Sequence, residues 1–229
     1  MKKVIILAAF AVIGLMSMTK PAPTVFKLDA SKSTFKWTGK KVTGQHWGYI
    51  KFSDGNLAFE KGALVGGAFN VDMNSMDCQD LTPDKGGDKL LGHLKTEDFF
   101  GVEKFPKATL VIKSATAKGN NTYDVKADLT IKGTTSEVMF PATVSMVGTG
   151  ATAAASFNID RTKFGIKYGS GSFFENLGDK AIDNNFLVEV NLVATADATP
   201  AASAAPVVKK KMTGKKGKKS EPKSEKSSK

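Results

Sequence analysis

Apolar and polar residues alternate with a period of two through most of the chain. Tyr123, Val125, Ala127, Leu129 and Ile131 interleave with Asp124, Lys126, Asp128 and Thr130. Val138, Phe140, Ala142, Val144 and Met146 repeat the pattern, as do Phe186, Val188, Val190 and Leu192. Shorter versions are Phe35/Trp37, Ile50/Phe52, Phe69/Val71/Met73, Leu110/Ile112 and Phe157/Ile159. Successive strand side chains point to opposite faces, so this period marks strands buried on one side. Lys61-Gly62, Lys132-Gly133 and Gly148-Thr149-Gly150 supply turn chemistry between them, and Asp54-Gly55 and Gly119-Asn120-Asn121 read as hairpin turns. The runs add up to about eight strands with short links, which predicts an all-β, extended antiparallel meander closed into a barrel or sandwich.

Two stretches break the alternation. In residues 77–105, Leu90, Leu91 and Leu94 have helical spacing, which predicts a short helical insert ended by Pro106. Thr96 followed by Glu97 and Asp98 reads as an N-cap with an acidic first turn. Residues 164–183 are rich in Gly, Ser and Asn and contain Phe173 and Phe174.

The chain ends differ from this body. Lys2 and Lys3 precede an apolar run over residues 4–18, the form of a secretory signal peptide covering residues 1–20. The expected location is therefore the periplasm or the secreted space. Cys78 is the single cysteine, so no intramolecular disulfide forms and no lipid-accepting Cys follows the apolar run. Residues 21–196 form the expected barrel domain. Residues 197–229 read as a disordered Lys-rich tail, too poor in large apolar residues to offset its ordering entropy. The formal charge of +11 belongs to the ends: residues 209–229 carry ten Lys and two Glu, whereas residues 21–208 carry 20 basic and 20 acidic residues. A neutral body excludes a nucleic-acid partner. The tail is suited to anionic membrane or envelope polymers.

An eight-stranded barrel is either filled by its own side chains or holds one small ligand. Here Ala68, Ala127, Ala142, Ala153 and Ala155 are small candidates for inward positions, and the inward set carries almost no charge. A hydrocarbon bound there gains roughly 0.8 kcal/mol per buried CH₂. A filled core is the competing reading. The candidate ligand contacts are Phe35, Trp37, Phe69, Val71, Met73, Val125, Leu129, Phe140, Val144, Phe157, Phe186 and Val188 on strands, with Leu94, Phe99 and Phe164 from the irregular stretches. His46 and His93, the two histidines, and Arg161, the single arginine, are the polar candidates for a headgroup. A structural pair of Arg161 with Asp160 or Asp98 is the alternative.

Several ordered segments resemble the YceI-like family. They are Gly44-Gln45-His46-Trp47-Gly48; His93-Leu94-Lys95 with Asp98-Phe99-Phe100 and Phe105-Pro106-Lys107-Ala108-Thr109; Asp128-Leu129-Thr130 through Thr135; and Asp160-Arg161-Thr162-Lys163-Phe164-Gly165. Phe105 stands where Tyr is common, Ala127 where Gly is usual, and the Lys-rich tail lies outside the pattern. The resemblance implies an extended lipocalin-like barrel that binds a polyisoprenoid or similar amphiphile, isoprenoid quinones and fatty-acid-like lipids included. It implies no cofactor other than such a lipid, and it leaves a homodimer open.

Catalytic patterns are thin. No G-x-S-x-G, H-E-x-x-H, Walker or Rossmann motif occurs, and Asp77, Cys78 and Asp80 lack a His at metal-binding spacing. The chain is therefore read as a binding protein and not an enzyme. The alternatives are an envelope-associated structural or stress protein using the basic tail, and a lipid-acting hydrolase or isomerase using His93, Asp98 and Arg161 or a Cys78–His93 pair.

Overall fold

The computed structural model describes residues 22–196; the expected signal peptide, residues 1–20, and the expected tail, residues 197–229, lie outside them. Ten strands and one short α-helix follow in order. The strands are β1 Thr24–Leu28, β2 Thr34–Lys41, β3 Gly44–Tyr49, β4 Lys51–Glu60 and β5 Ala63–Asp72, then β6 Lys107–Gly119, β7 Thr122–Ile131, β8 Thr134–Val147, β9 Gly150–Asp160 and β10 Asn185–Ala196. The helix α1, Gly87–Lys95, lies between β5 and β6.

All pairings between these strands are antiparallel, and the sheet runs β1-β4-β5-β6-β7-β8-β9-β10 before β10 closes back on β1. That ring has eight positions, as the alternation predicts. The other two strands extend the first two positions. β2 pairs with the earlier half of β10, Leu187–Asn191, while β1 pairs with its end, Ala194–Ala196. β3 pairs with β2 and runs on through Ile50, whose N–H donates to the Phe35 carbonyl, into β4. The meander therefore begins with one long, interrupted hairpin.

Antiparallel order puts the β2–β3 turn, the 73–106 connection, the β7–β8 turn and the 161–184 connection at one end of the barrel. Both ends of the described chain leave from the other, where Thr24 pairs with Phe59 and the Ala196 N–H donates to Thr149.

Turn chemistry explains most links. Lys132 and Gly133 both have positive φ, 49° and 71°, as a tight I′-type hairpin requires. A Cβ on Gly133 would meet the Phe105 ring at 2.7 Å, so two of the motif segments interlock here. Asp54-Gly55 departs from expectation. It makes no hairpin; it lies inside β4 next to an irregularity between Phe52 and Asp54. Gly55 is required there by the Phe69 ring, 2.6 Å from where a Cβ would be. Thr96 also departs: it closes α1 instead of opening a helix. Its N–H and hydroxyl both reach the His93 carbonyl, so the acidic pair behind it follows the helix.

Two ladders of the wall end early among the described strands: β5–β6 stops at Gly67↔Ile112, and β8–β9 leaves an open seam toward the mouth. The Val144 N–H donates to Asn121 on the β7 side, so residues 143, 141 and 139 of β8 aim at β9. Pro141 has no N–H to give. The β8–β9 ladder accordingly stops at Ala142↔Ala155, and the earlier half of β8 is paired only with β7. Phe140 and Phe157 stack across this seam with centroids 4.1 Å apart and planes at 7°.

Candidate functional site

The barrel is hollow. A cavity of about 240 Å³ runs along its interior. A single water needs only about 10–15 Å³ of such space, so the volume would hold a chain of many atoms. Its walls are almost wholly carbon, and cavities of that kind stay dry unless an apolar molecule fills them. Leu57, Leu64, Val144 and Leu192 line it near the end where the chain termini leave. Phe69, Val125, Leu129, Ala142, Ala153 and Ala155 line its middle. Phe35, Trp37, Phe140, Phe157 and Phe186 line it toward the other end, with Val71 and Met73. Leu90 and Leu94 of α1, with Phe99 and Phe100 after it, close over that end. Phe140, Ala153, Ala155, Phe157 and Phe186 face inward yet are only half-buried, because they face the cavity and not a packed neighbour.

Of the expected contacts, Val188, Phe164 and His93 do not reach this cavity. Val188 and Phe164 are buried in the surrounding core. His93 sits against the rings of Phe99 and Tyr168, at 5.0 and 4.7 Å, with Nε2 3.2 Å from an Asp98 carboxylate oxygen. Among the small residues, Ala142, Ala153 and Ala155 line the cavity and Ala127 is buried without reaching it. Ala68 lies on the opposite face of β5 from Phe69 and Val71 and is a correction to the inward set. Met76, Leu90, Phe100 and Ile182 line the cavity from outside the strands, where no alternation marks them. Leu57 and Leu64 do lie in short alternating runs.

The polar lining collects at one end. Lys40, Lys41, Gly44, Asp183 and Asn185 are exposed there, so the mouth lies between the β2–β3 hairpin and the chain leading into β10. This chain is stitched to β2 by Lys41↔Ile182, by the Val42 N–H to the Ala181 carbonyl and by the Asp183 N–H to the Lys40 carbonyl.

Arg161 holds the same corner from within. Nε donates to the Asp183 carbonyl at 2.9 Å, Nη1 to Ile166 at 2.9 Å and Nη2 to Ile182 at 3.0 Å. It makes no ion pair with Asp160 or Asp98 among the described residues, so the expected structural pair is replaced by three carbonyls. Burial lowers its pKa from the ordinary value, partly offset by the charges of Asp160 and Asp183. Asp160 in turn accepts the Thr162 N–H and hydroxyl, and Gly165 closes the turn in a left-handed conformation. The Asp-Arg-Thr motif thus shapes the mouth.

His46 lines the cavity with Nδ1 2.8 Å from Asp80, whose other carboxylate oxygen accepts the Trp47 N–H at 2.9 Å. Burial opposes ionisation of Asp80, but the Trp47 amide and His46 outweigh it and hold its pKa below the usual carboxylate value. The neighbouring backbone needs Gly48: a Cβ there would lie 2.0 Å from the Asp77 carbonyl, which accepts the Trp37 indole N–H at 3.1 Å. Cys78 donates to Asp80 at 3.4 Å, and burial first of all raises its pKa, so it is held as a thiol. His93 is committed to Asp98 and Arg161 to the loop carbonyls, so the expected polar trio does not converge on one point. Among the described residues no cluster has metal-holding geometry.

Residues 26–194 match the sequence profile of the YceI-like domain. A UPF0312 protein of Pseudomonas putida strain F1 is 30% identical over 138 residues, which cover 57% of this chain and 68% of that protein. Another, from Shewanella denitrificans, is 32% identical over 91 residues, covering 39% of this chain and 44% of that one. Among solved structures, Burkholderia cenocepacia BcnA superimposes with a TM-score of 0.61 at 25% identity, covering 73% of this chain and 99% of its own. A polyisoprenoid binding domain from Saccharophagus degradans, implicated in plant cell wall breakdown, shares the fold with a TM-score of 0.56 at 14% identity, covering 76% of this chain and 99% of that one.

Proposed function

This chain belongs to the YceI-like family, and from that premise we propose that it is an exported carrier of an apolar amphiphile, its hydrocarbon inside the barrel and its head at the mouth. The observation that carries this reading is the carbon-lined cavity in the interior, about 240 Å³ in volume. Burial of hydrocarbon supplies the affinity at roughly 0.8 kcal/mol per CH₂, so no single side chain has to dominate. Polyisoprenoids, isoprenoid quinones and fatty-acid-like lipids all have the required long, narrow apolar part.

The mouth bears on the head. Lys40, Lys41, His46 and Arg161 all line that end of the cavity, with Asp183 the one carboxylate among the lining residues. That balance favours a head rich in hydrogen-bond acceptors, such as a phosphate, carboxylate or carbonyl. Its residues give no support to a catalytic trio, and the reading is one of sequestration and delivery. Export rests on the sequence of residues 1–20 alone. Native mass spectrometry of the full chain after mild extraction is expected to give a mass larger than the polypeptide by one lipid. A bare mass, with no uptake from added isoprenoid or fatty acid, would overturn the reading.

A further inference from the structure

The mouth of the barrel is ringed by large apolar side chains that touch water. Val42 at the tip of the β2–β3 hairpin is 68% exposed, and Tyr168, Phe173 and Phe174 are 45%, 48% and 51% exposed. None of the four lines the cavity, so the proposed ligand does not account for them. Hydrogen bonds fix the backbone that carries them. The Phe173 and Phe174 N–H groups both donate to the Ser170 carbonyl, and the fully buried Ser170 hydroxyl donates to Asn184 at 2.6 Å. The Val42 N–H ties the hairpin tip to Ala181 of the same loop. Exposed apolar groups gathered around one opening mark an interaction surface.

Charge bears on the partner. Residues 40–42 and 161–184, the side of the mouth that carries all four of these side chains, hold five lysines and the buried Arg161 against three carboxylates, whereas the 73–106 connection at the same end holds four lysines and seven carboxylates. None of the five lysines forms an ion pair among the described residues. Lys167 Nζ instead lies 4.7 Å from the centre of the Phe173 ring. Aromatic rings beside unpaired lysines suit the boundary of an anionic bilayer, with rings at headgroup depth and ammonium groups among phosphates. Both ends of the described chain leave from the opposite end of the barrel.

We propose that the rim formed by Val42, Tyr168, Phe173 and Phe174 docks the mouth of the barrel onto an anionic lipid bilayer, so that a lipid passes between membrane and cavity without crossing water. The proposal rests on the carrier reading, and its test separates the two. Vesicles of phosphatidylethanolamine and phosphatidylglycerol are mixed in about 0.15 M salt with the full chain and with its variant; both carry the same Lys-rich tail, so its attraction cancels in the ratio of their affinities, while the lysines at the mouth keep theirs. The double variant Phe173→Ser, Phe174→Ser is expected to bind these vesicles about tenfold more weakly than the natural chain. Its uptake of a soluble fluorescent fatty acid, which reads the cavity alone, is expected to be unchanged. Equal vesicle binding by both chains, or none by the natural chain, would overturn the docking surface. Loss of fatty-acid uptake by the natural chain would overturn the carrier reading instead. Should the double variant fail to fold, Phe174→Trp carries the test. Its added emission is expected to be quenched by lipids brominated near the headgroup, and unquenched emission contradicts the proposal.

Discussion

The guanidinium of Arg161 bonds to carbonyls from both limbs of one loop, Ile166 on the outgoing limb and Ile182 with Asp183 on the returning one. A planar fork can serve three divergent acceptors at once, and an ammonium on a flexible stem cannot. Arg161→Lys is therefore expected to lose two of the three bonds. At about 1.5 kcal/mol for each bond from a charged donor, that is about 3 kcal/mol, or roughly 6–12 °C in Tm for a domain of this size. Thermal unfolding followed by circular dichroism reads it, and a shift below about 2 °C would mean that the loop does not depend on the fork. The sequence flags this position because it is the single arginine. It cannot say whether the fork grips an anion or the backbone, since both offer oxygen acceptors in the same geometry. His46 and His93 show the same limit. Each finds a carboxylate, Asp80 or Asp98, but only His46 also lines the cavity.

At the scale of elements, alternation locates the strands because a barrel wall needs one oily face on every strand. Where local chemistry has two uses, alternation alone is insufficient. Asp54-Gly55 suits a turn, yet here glycine makes room for the Phe69 ring across the sheet. Thr96 suits a cap at either end of a helix, and Leu90, Leu91 and Leu94 before it decide the matter. Pro141 is the most consequential case. Within an alternating run it reads as one more polar-face residue, but on β8 its missing N–H falls on the β9 side and ends the ladder. The Glu137 and Met139 amides of β8, and the Asn158 amide of β9, accordingly aim into the open seam. Their hydrogen exchange is expected to be about 100-fold faster, or more, than that of Thr143 and Ala154, which face each other where the ladder is intact. Uniform protection along β8 would show the seam to be closed in solution.

For the whole molecule, closure of eight strand positions follows from pairing arithmetic, but hollowness does not. Ala142, Ala153 and Ala155 make room on β8 and β9, whereas Ala127 is packed over and Ala68 faces outward. The difference between a filled and a vacant barrel lies in how bulky neighbours lean, which alternation does not encode. The lid is legible only in part: Leu94 and Phe99 are expected contacts, whereas Leu90, Phe100 and Ile182 reach the cavity from a helix and two connections whose placement only the folded chain defines. The central claim is that this interior accepts a hydrocarbon. Crystallography of the chain with a fatty acid brominated at its far end tests it most directly. The account predicts an anomalous bromine peak inside the barrel, deep among Leu57, Leu64, Val144 and Leu192, with the carboxylate toward Lys40 and Lys41. A bromine peak only on the outer surface, with side chains filling the interior, would contradict it.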